Sequence, residues 1–147
     1  MARGQMQLAA LLAGWAFSNA MVGLVHAMAH SLGAVCRIPH GLANGILLPH
    51  VMRYNLEDIP ELTADIGAAM GLAADDMDSS EMAIAAADHM AAFARSVGLV
   101  QRLKDLNVTR QQLKESAELS MSDGSIIYNP KMVMEAEDVL NIYRKAY

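Results

Sequence analysis

A single cysteine, Cys36, stands in the whole chain. A disulfide scaffold is therefore excluded, and with it a structural zinc site built from several thiolates. Aromatic residues make up only 5%. β-branched residues are few, and no useful stretch alternates with period two, so no strand is expected. Charge is scarce as well, at 18% of residues against about 25% in an ordinary soluble domain. With a net charge of -5 and a pI near 5.4, a basic surface for nucleic acid is not expected. Apolar residues are abundant instead, at 54% with a mean hydropathy of +0.21, which excludes an intrinsically disordered chain. A length of 147 residues fits one domain, 1–147, large enough to bury a core without staples.

The scarcity is uneven. Residues 1–56 contain Arg3, Arg37 and Arg53 and no acid, whereas all 16 Asp and Glu lie from Glu57 onward. The first part carries +3 and the rest -8. His26, His30, His40 and His50, four of the five histidines, fall in the acid-free part. Clustered histidine in charge-poor sequence suggests a buried wall, a subunit interface or a site. Cys36 is compatible with a reducing compartment, and a cytoplasmic location is expected.

Two membrane readings arise from the same stretch. Leu8 to Met28 is 21 residues long, about the span of a bilayer core. Arg3, the apolar run Leu8–Phe17 and Ser18-Asn19-Ala20 also resemble a signal peptide. Against spanning, the run carries Ser18, Asn19 and His26. Against export, Gln5 and Gln7 dilute the start and Arg3 is alone.

The chain reads as helical throughout. Gln5 to Phe17 forms a helix expected to be buried on most sides. Ser18 or Asn19 can cap a second helix from about Ala20 to Ala34, with Gly33 near its end. Pro39 opens a third near His40, and Pro49 should kink or end it. Asp58 to Met70 is a short helix closed by Gly71, followed by an acidic loop over 73–78. Ser79 or Ser80 opens a long amphipathic helix ending at Gly98. Thr109-Arg110-Gln111-Gln112 is a capping box for a helix to about Met121. Asp123-Gly124 marks a turn and Asn129-Pro130 a loop. Glu135 to Tyr147 is the last helix, with acids first and Arg144 and Lys145 last, as the helix dipole favours. An all-α bundle of six or seven helices is expected.

The histidines carry the chemistry. His26 and His30 are four apart and share one helix face, about 6 Å from each other. His40 follows a break at Arg37-Ile38-Pro39, so two meeting helices could bring it to His26. Neutral imidazole is a common ligand for divalent Zn, Fe, Co and Ni. The residues alone leave two readings open: a metal site, or histidines that are satisfied core or surface residues. Iron also favours a carboxylate beside histidine, and residues 1–56 offer none.

A longer pattern frames these positions. Gly23-Leu24-Val25-His26-Ala27-Met28-Ala29-His30-Ser31-Leu32-Gly33 continues into Pro39-His40-Gly41-Leu42-Ala43-Asn44 and Leu47-Leu48-Pro49-His50-Val51. With Ala13-Gly14, Ala16-Phe17-Ser18-Asn19-Ala20 upstream and Asn129-Pro130 downstream, the chain resembles the iron-containing (group III) alcohol dehydrogenases. The resemblance is densest through residues 9–55. It implies an all-α, dehydroquinate synthase-like C-terminal domain. It also implies that His26 and His40 are two ligands of a divalent metal, Fe2+ foremost and Zn2+ as a possibility. His30 would lie beside the metal and the nicotinamide, in a proton-relay or cofactor-wall role. Phe17 would line the substrate channel, or else pack as core.

The family's dinucleotide-binding domain carries a Gly-Gly-Gly-Ser loop, and its other two metal ligands are an Asp and a His four apart. Neither pattern occurs in these 147 residues. The expectation is therefore the metal-binding helical half of an iron-type alcohol dehydrogenase, with the N-terminal dinucleotide domain absent. It would act on an alcohol or aldehyde with NAD or NADP only in the intact enzyme. The chain by itself is expected to be inactive and to self-associate. His89 is expected on a solvated face, His50 in a structural place, and Cys36 as a passive loop residue. Two other classes remain: a stand-alone module in which His26, His30 and His40 form a three-histidine site, and a membrane-associated helical protein using Leu8–Met28.

Overall fold

The computed structural model describes residues 1–72, 76–100 and 102–147. Seven α-helices and no strand occur among them: α1 Ala2–Ala20, α2 Leu24–Cys36, α3 His40–Asn55, α4 Pro60–Ala69, α5 Ser79–Ser96, α6 Arg110–Ser120 and α7 Ala136–Lys145. Two 3-10 turns, Leu103–Leu106 and Gly124–Tyr128, complete the chain. The all-α expectation holds. The acidic loop read over 73–78 lies partly outside the described residues.

Helix α2 sits at the centre, packed between α3 and α6 and touching the Gly124–Tyr128 turn. Its periodicity explains why. Leu24, Met28 and Leu32 recur every fourth residue and are fully buried, with Ala27, Ala29 and Ser31 beside them. They meet Leu47 of α3, Leu113 of α6 and Val139 and Tyr143 of α7 in one core cluster. Burying a Leu or Met side chain contributes about 1.5–3 kcal/mol. The same fourfold spacing turns His26 and His30 out of this core.

Several polar groups inside the core are paired, although the buried Ser116 hydroxyl has no partner. The Tyr143 hydroxyl donates to the Met28 carbonyl at 2.8 Å. The Ser120 hydroxyl lies 2.7 Å from the Ser116 carbonyl, 3.0 Å from the Ser31 hydroxyl and 3.4 Å from that of Tyr143. Burial pushes the Tyr143 phenol far above its ordinary value, so it stays protonated and serves as a donor. At the other end of α2, the Asn129 carboxamide exchanges hydrogen bonds with that of Asn55 at 2.8 and 3.2 Å. The same Asn129 Oδ1 accepts the Leu24 N–H, and its Nδ2 donates to the Lys131 carbonyl. One buried amide thus ties the start of α2 to the end of α3 and to the chain after Tyr128.

Several local signals act as read. Arg110–Ser120 begins with the Thr109–Gln112 capping box. Gly71 and Gly98 end α4 and α5 with φ of +83° and +82°, a left-handed turn that glycine adopts without cost.

Others are corrected. Helix α1 was expected to be buried on most sides, yet it has no buried residue. It turns away from α2 by 107° at Met21, so most of its surface meets no other helix. Ser18 and Asn19 cap nothing; their side chains bond back to the Gly14 and Trp15 carbonyls, and α2 starts later, after Gly23. Helix α5 does open at Ser79, and the residue before it, Asp78, is its cap: the carboxylate accepts the Glu81 N–H in a reciprocal box. Pro49 does not end α3, which runs on to Asn55. Ile46, Leu47, Val51 and Met52 are buried on both sides of it, and that packing offsets the missing N–H bond. No single described helix is long and apolar enough to cross a membrane; only α1 and α2 together pass by length and composition, and they are sharply bent.

Replacing Tyr143 by Phe removes the hydroxyl that donates to the Met28 carbonyl from outside the helix. We expect a loss of about 1–2 kcal/mol, read as a lower urea midpoint with unchanged helix content.

Candidate metal centre

The site forms where α2 ends and α3 begins. Helix α2 stops because Arg37 adopts a left-handed conformation, φ 58°, with its N–H returned to the Gly33 carbonyl. Pro39 then sets the backbone ahead of α3, whose first residue is His40. The turn folds His40 back over the outward face of α2. The rings of His26 and His40 lie 5.1 Å apart, those of His30 and His40 stack at 5.1 Å with 18° between planes, and His26 meets His30 edge-on at 6.0 Å. One ring nitrogen from each lies within 4.8 Å of the others. The three residues read from the sequence as chemical are brought together.

This donor set fits a divalent transition ion. It is three imidazole nitrogens on residues that are half-buried to exposed. His40 also shows how its lone pair is used. The two N–H groups of the Asn44 amide reach the His40 carbonyl and His40 Nε2, both at 3.0 Å. A Lewis acid on Nε2 would take the place of that N–H. The Asn44 Oδ1 is buried without a partner.

The carboxylate that sequence reasoning did not find is Asp123. Its Oδ2 lies 2.7 Å from His30 Nδ1, across 93 residues of chain. Its Oδ1 accepts the Ser125 N–H at 2.8 Å, which fixes the carboxylate as the cap of the Gly124–Tyr128 turn. Burial raises the Asp123 pKa, but the Ser125 N–H and His30 outweigh it and hold the carboxyl below the usual range. The sequence carried the turn signal Asp123-Gly124; nothing in it showed that the turn would land on α2.

A cavity of about 470 Å³ opens beside His26 and His40. Phe17 and Met21 wall it from α1 and the following turn, and Ser125 and Tyr128 from the Asp123 turn. Phe17 is half exposed, so it does not pack as core. Met21, Val22, Ser125 and Tyr128 are lining residues that sequence reasoning missed. His50 is half-buried and outside the trio; burial, then Arg53 and Lys145, push its pKa down. His89 is half-buried on α5, a correction to the solvated face expected for it: its neighbours Ala86 and Ala87 are buried on that helix. Burial raises the Cys36 thiol, so it stays protonated.

An all-helical domain that brings three imidazoles within reach of one ion, beside an apolar cavity, is an architecture suited to a divalent metal. The profile of the Fe-containing alcohol dehydrogenase family, C-terminal, matches residues 1–147, and the chain belongs to that family. It is 45% identical to a 1,3-propanediol dehydrogenase of Citrobacter freundii over 149 residues, 99% of this chain and 38% of that protein. Over 143 residues it is 39% identical to a lactaldehyde reductase of Escherichia coli K12, covering 97% and 37%. Among solved structures it superposes on a 1,3-propanediol oxidoreductase with a TM-score of 0.86 at 42% identity, covering 95% and 36%. An alcohol dehydrogenase from Oenococcus oeni gives 0.88 at 35%, covering 92% and 35%. The chain thus spans less than two-fifths of the length of the curated relatives named here.

His26 generates a pH prediction. Burial first, then the neighbouring His40 and His30, lower its pKa from 6.5, against the pull of Asp123. Below 6.5 and above the folded value, the unfolded chain binds a proton that the folded chain refuses. Stability from this group is therefore complete above 6.5 and drains as pH falls through that window. The urea midpoint of the wild type should fall more steeply on acidification than that of His26→Gln.

Proposed function

We propose that this chain supplies the metal-binding, helical part of an NAD(P)-dependent alcohol dehydrogenase acting on a small alcohol or aldehyde. The convergence of His26, His30 and His40, with His26 and His40 lining one cavity, carries this reading. In it, residues 1–147 are a single domain. His26 and His40 hold the ion, Fe2+ in preference to Zn2+, with the remaining ligands coming from outside these residues. A divalent ion held there lends Lewis acidity to the substrate oxygen, while hydride transfer is the chemistry of the nicotinamide.

The residues of this chain have separate tasks. His26 enters as a neutral donor because burial disfavours its charged form. His30 is stacked on His40 and would accept the proton of the substrate hydroxyl and return it in the reverse direction. Phe17, Met21 and Tyr128 form an apolar wall that excludes water around a short carbon chain. The relatives named above include proteins called 1,3-propanediol dehydrogenase and lactaldehyde reductase, which supports a small hydroxylated substrate. A cytoplasmic setting goes with this reading, and neither nucleic acid nor membrane enters it.

Taken alone, the chain should hold metal weakly and turn nothing over. Neutral nitrogens leave the charge of the ion uncompensated, and no glycine-rich phosphate loop holds a nicotinamide. A hydride acceptor must sit within a few ångströms of the substrate carbon. The assay is alcohol-dependent reduction of NAD or NADP by the purified, metal-loaded chain, with His26→Ala and His40→Ala as partners in metal titration. Stoichiometric tight metal with steady turnover would favour a self-sufficient three-histidine site.

The exposed apolar face of α1 makes a second expectation. Leu8, Leu11, Leu12, Trp15 and Phe17 are each at least half exposed. Covering such a patch gains about 25 cal/mol per Å², so the chain should self-associate. Sedimentation should show species above the monomer at micromolar concentration, reduced in Leu12→Ser/Trp15→Ser.

A further inference from the structure

The geometry points to Asp123 as a positioning residue that fixes which nitrogen of His30 carries its proton. The inference rests on the reading of His30 as a proton acceptor, and it deepens that reading. Two groups 2.7 Å apart, His30 Nδ1 and Asp123 Oδ2, share one hydrogen. A carboxylate at neutral pH has none to give, so Nδ1 bears it and donates. The other nitrogen, Nε2, is then left with the lone pair. A His30 held this way presents an acceptor and cannot swivel, because Asp123 is itself clamped by the Ser125 N–H. The stacking of His30 on His40 restrains the same ring from its face. An imidazole whose proton sat on Nε2 would meet the substrate proton with another proton, and relay would stop.

The two bonds of the carboxylate make the test sharp. In Asp123→Asn only one of the two atoms can accept. With Oδ1 kept on the Ser125 N–H, the new NH2 faces His30 Nδ1 and forces the proton to Nε2. The turn is still capped, since Asn serves that position as well as Asp does.

The measurement is the imidazole nitrogen spectrum of 15N-histidine-labelled, metal-free chain at about pH 8, above the ordinary imidazole range. His30 is assigned by loss of its signals in His30→Gln. The wild type should show protonated Nδ1 and bare Nε2 on His30. In Asp123→Asn the ratio of the two forms should move by about tenfold or more toward protonated Nε2, the effect of one hydrogen bond to a charged group. A merely structural Asp123 would leave the ratio unmoved. Protonated Nε2 in the wild type overturns the inference even if the variant fails to fold, and an unchanged ratio in a folded variant overturns it as well. Metal titration of His26→Ala probes the functional reading separately, since the tautomer is read without any ion.

Discussion

The hold on α2 is the constraint from which the rest follows. Its inner face is locked by apolar packing and by the Tyr143 hydroxyl on the Met28 carbonyl. Its first turn is locked by Asn129 on the Leu24 N–H. Neither lock touches a histidine. Yet both fix the rotation and height of the helix, and so the direction in which His26 and His30 point. A rotation of one residue would carry His26 toward the core and Leu24 toward water, at the cost of buried apolar area and of a desolvated imidazole.

The charge distribution acts through the same helix. In the acid-free first part, burial first and then the neighbouring His40 and His30 disfavour the protonated form of His26. The single carboxylate that enters comes from the acidic part of the chain and arrives on a turn whose geometry it caps itself. Asp123 therefore does two physical jobs with two oxygens: it shapes the turn, and it bonds His30. The ion-pair energy of a half-exposed group is modest, so its value lies in direction more than in stability.

The apolar face of α1 and the cavity beside His26 are two sides of one arrangement. Phe17 belongs to both, at the end of an unburied helix and at the mouth of the site. Met21, with φ 63° and extended ψ, is a conformation that a side chain tolerates poorly, and it lies at the bend that sets the angle of this wall.

How much was legible beforehand can be judged residue by residue. The fourfold spacing of Leu24, Met28 and Leu32 against His26 and His30 is a property of the sequence, because helix geometry converts spacing into faces. The Thr109 capping box, the Gly71 and Gly98 stops and the start of α3 after Pro39 are local in the same sense. The resemblance carried by residues 9–55 named His26, His30, His40 and Phe17 as candidates. Tertiary structure decided what spacing cannot reach. Whether α1 is buried depends on what it packs against, and hydropathy alone read it wrongly. Pro49 was read as a kink or an end of α3, and buried neighbours on both sides carry the helix through it to Asn55. Asp123, Ser125 and Tyr128 reach the histidines only because Asn129 pins their turn to α2 and α3, a contact between residues far apart in the chain. Local spacing sets which side chains share a face; only the packing of distant segments sets which faces meet.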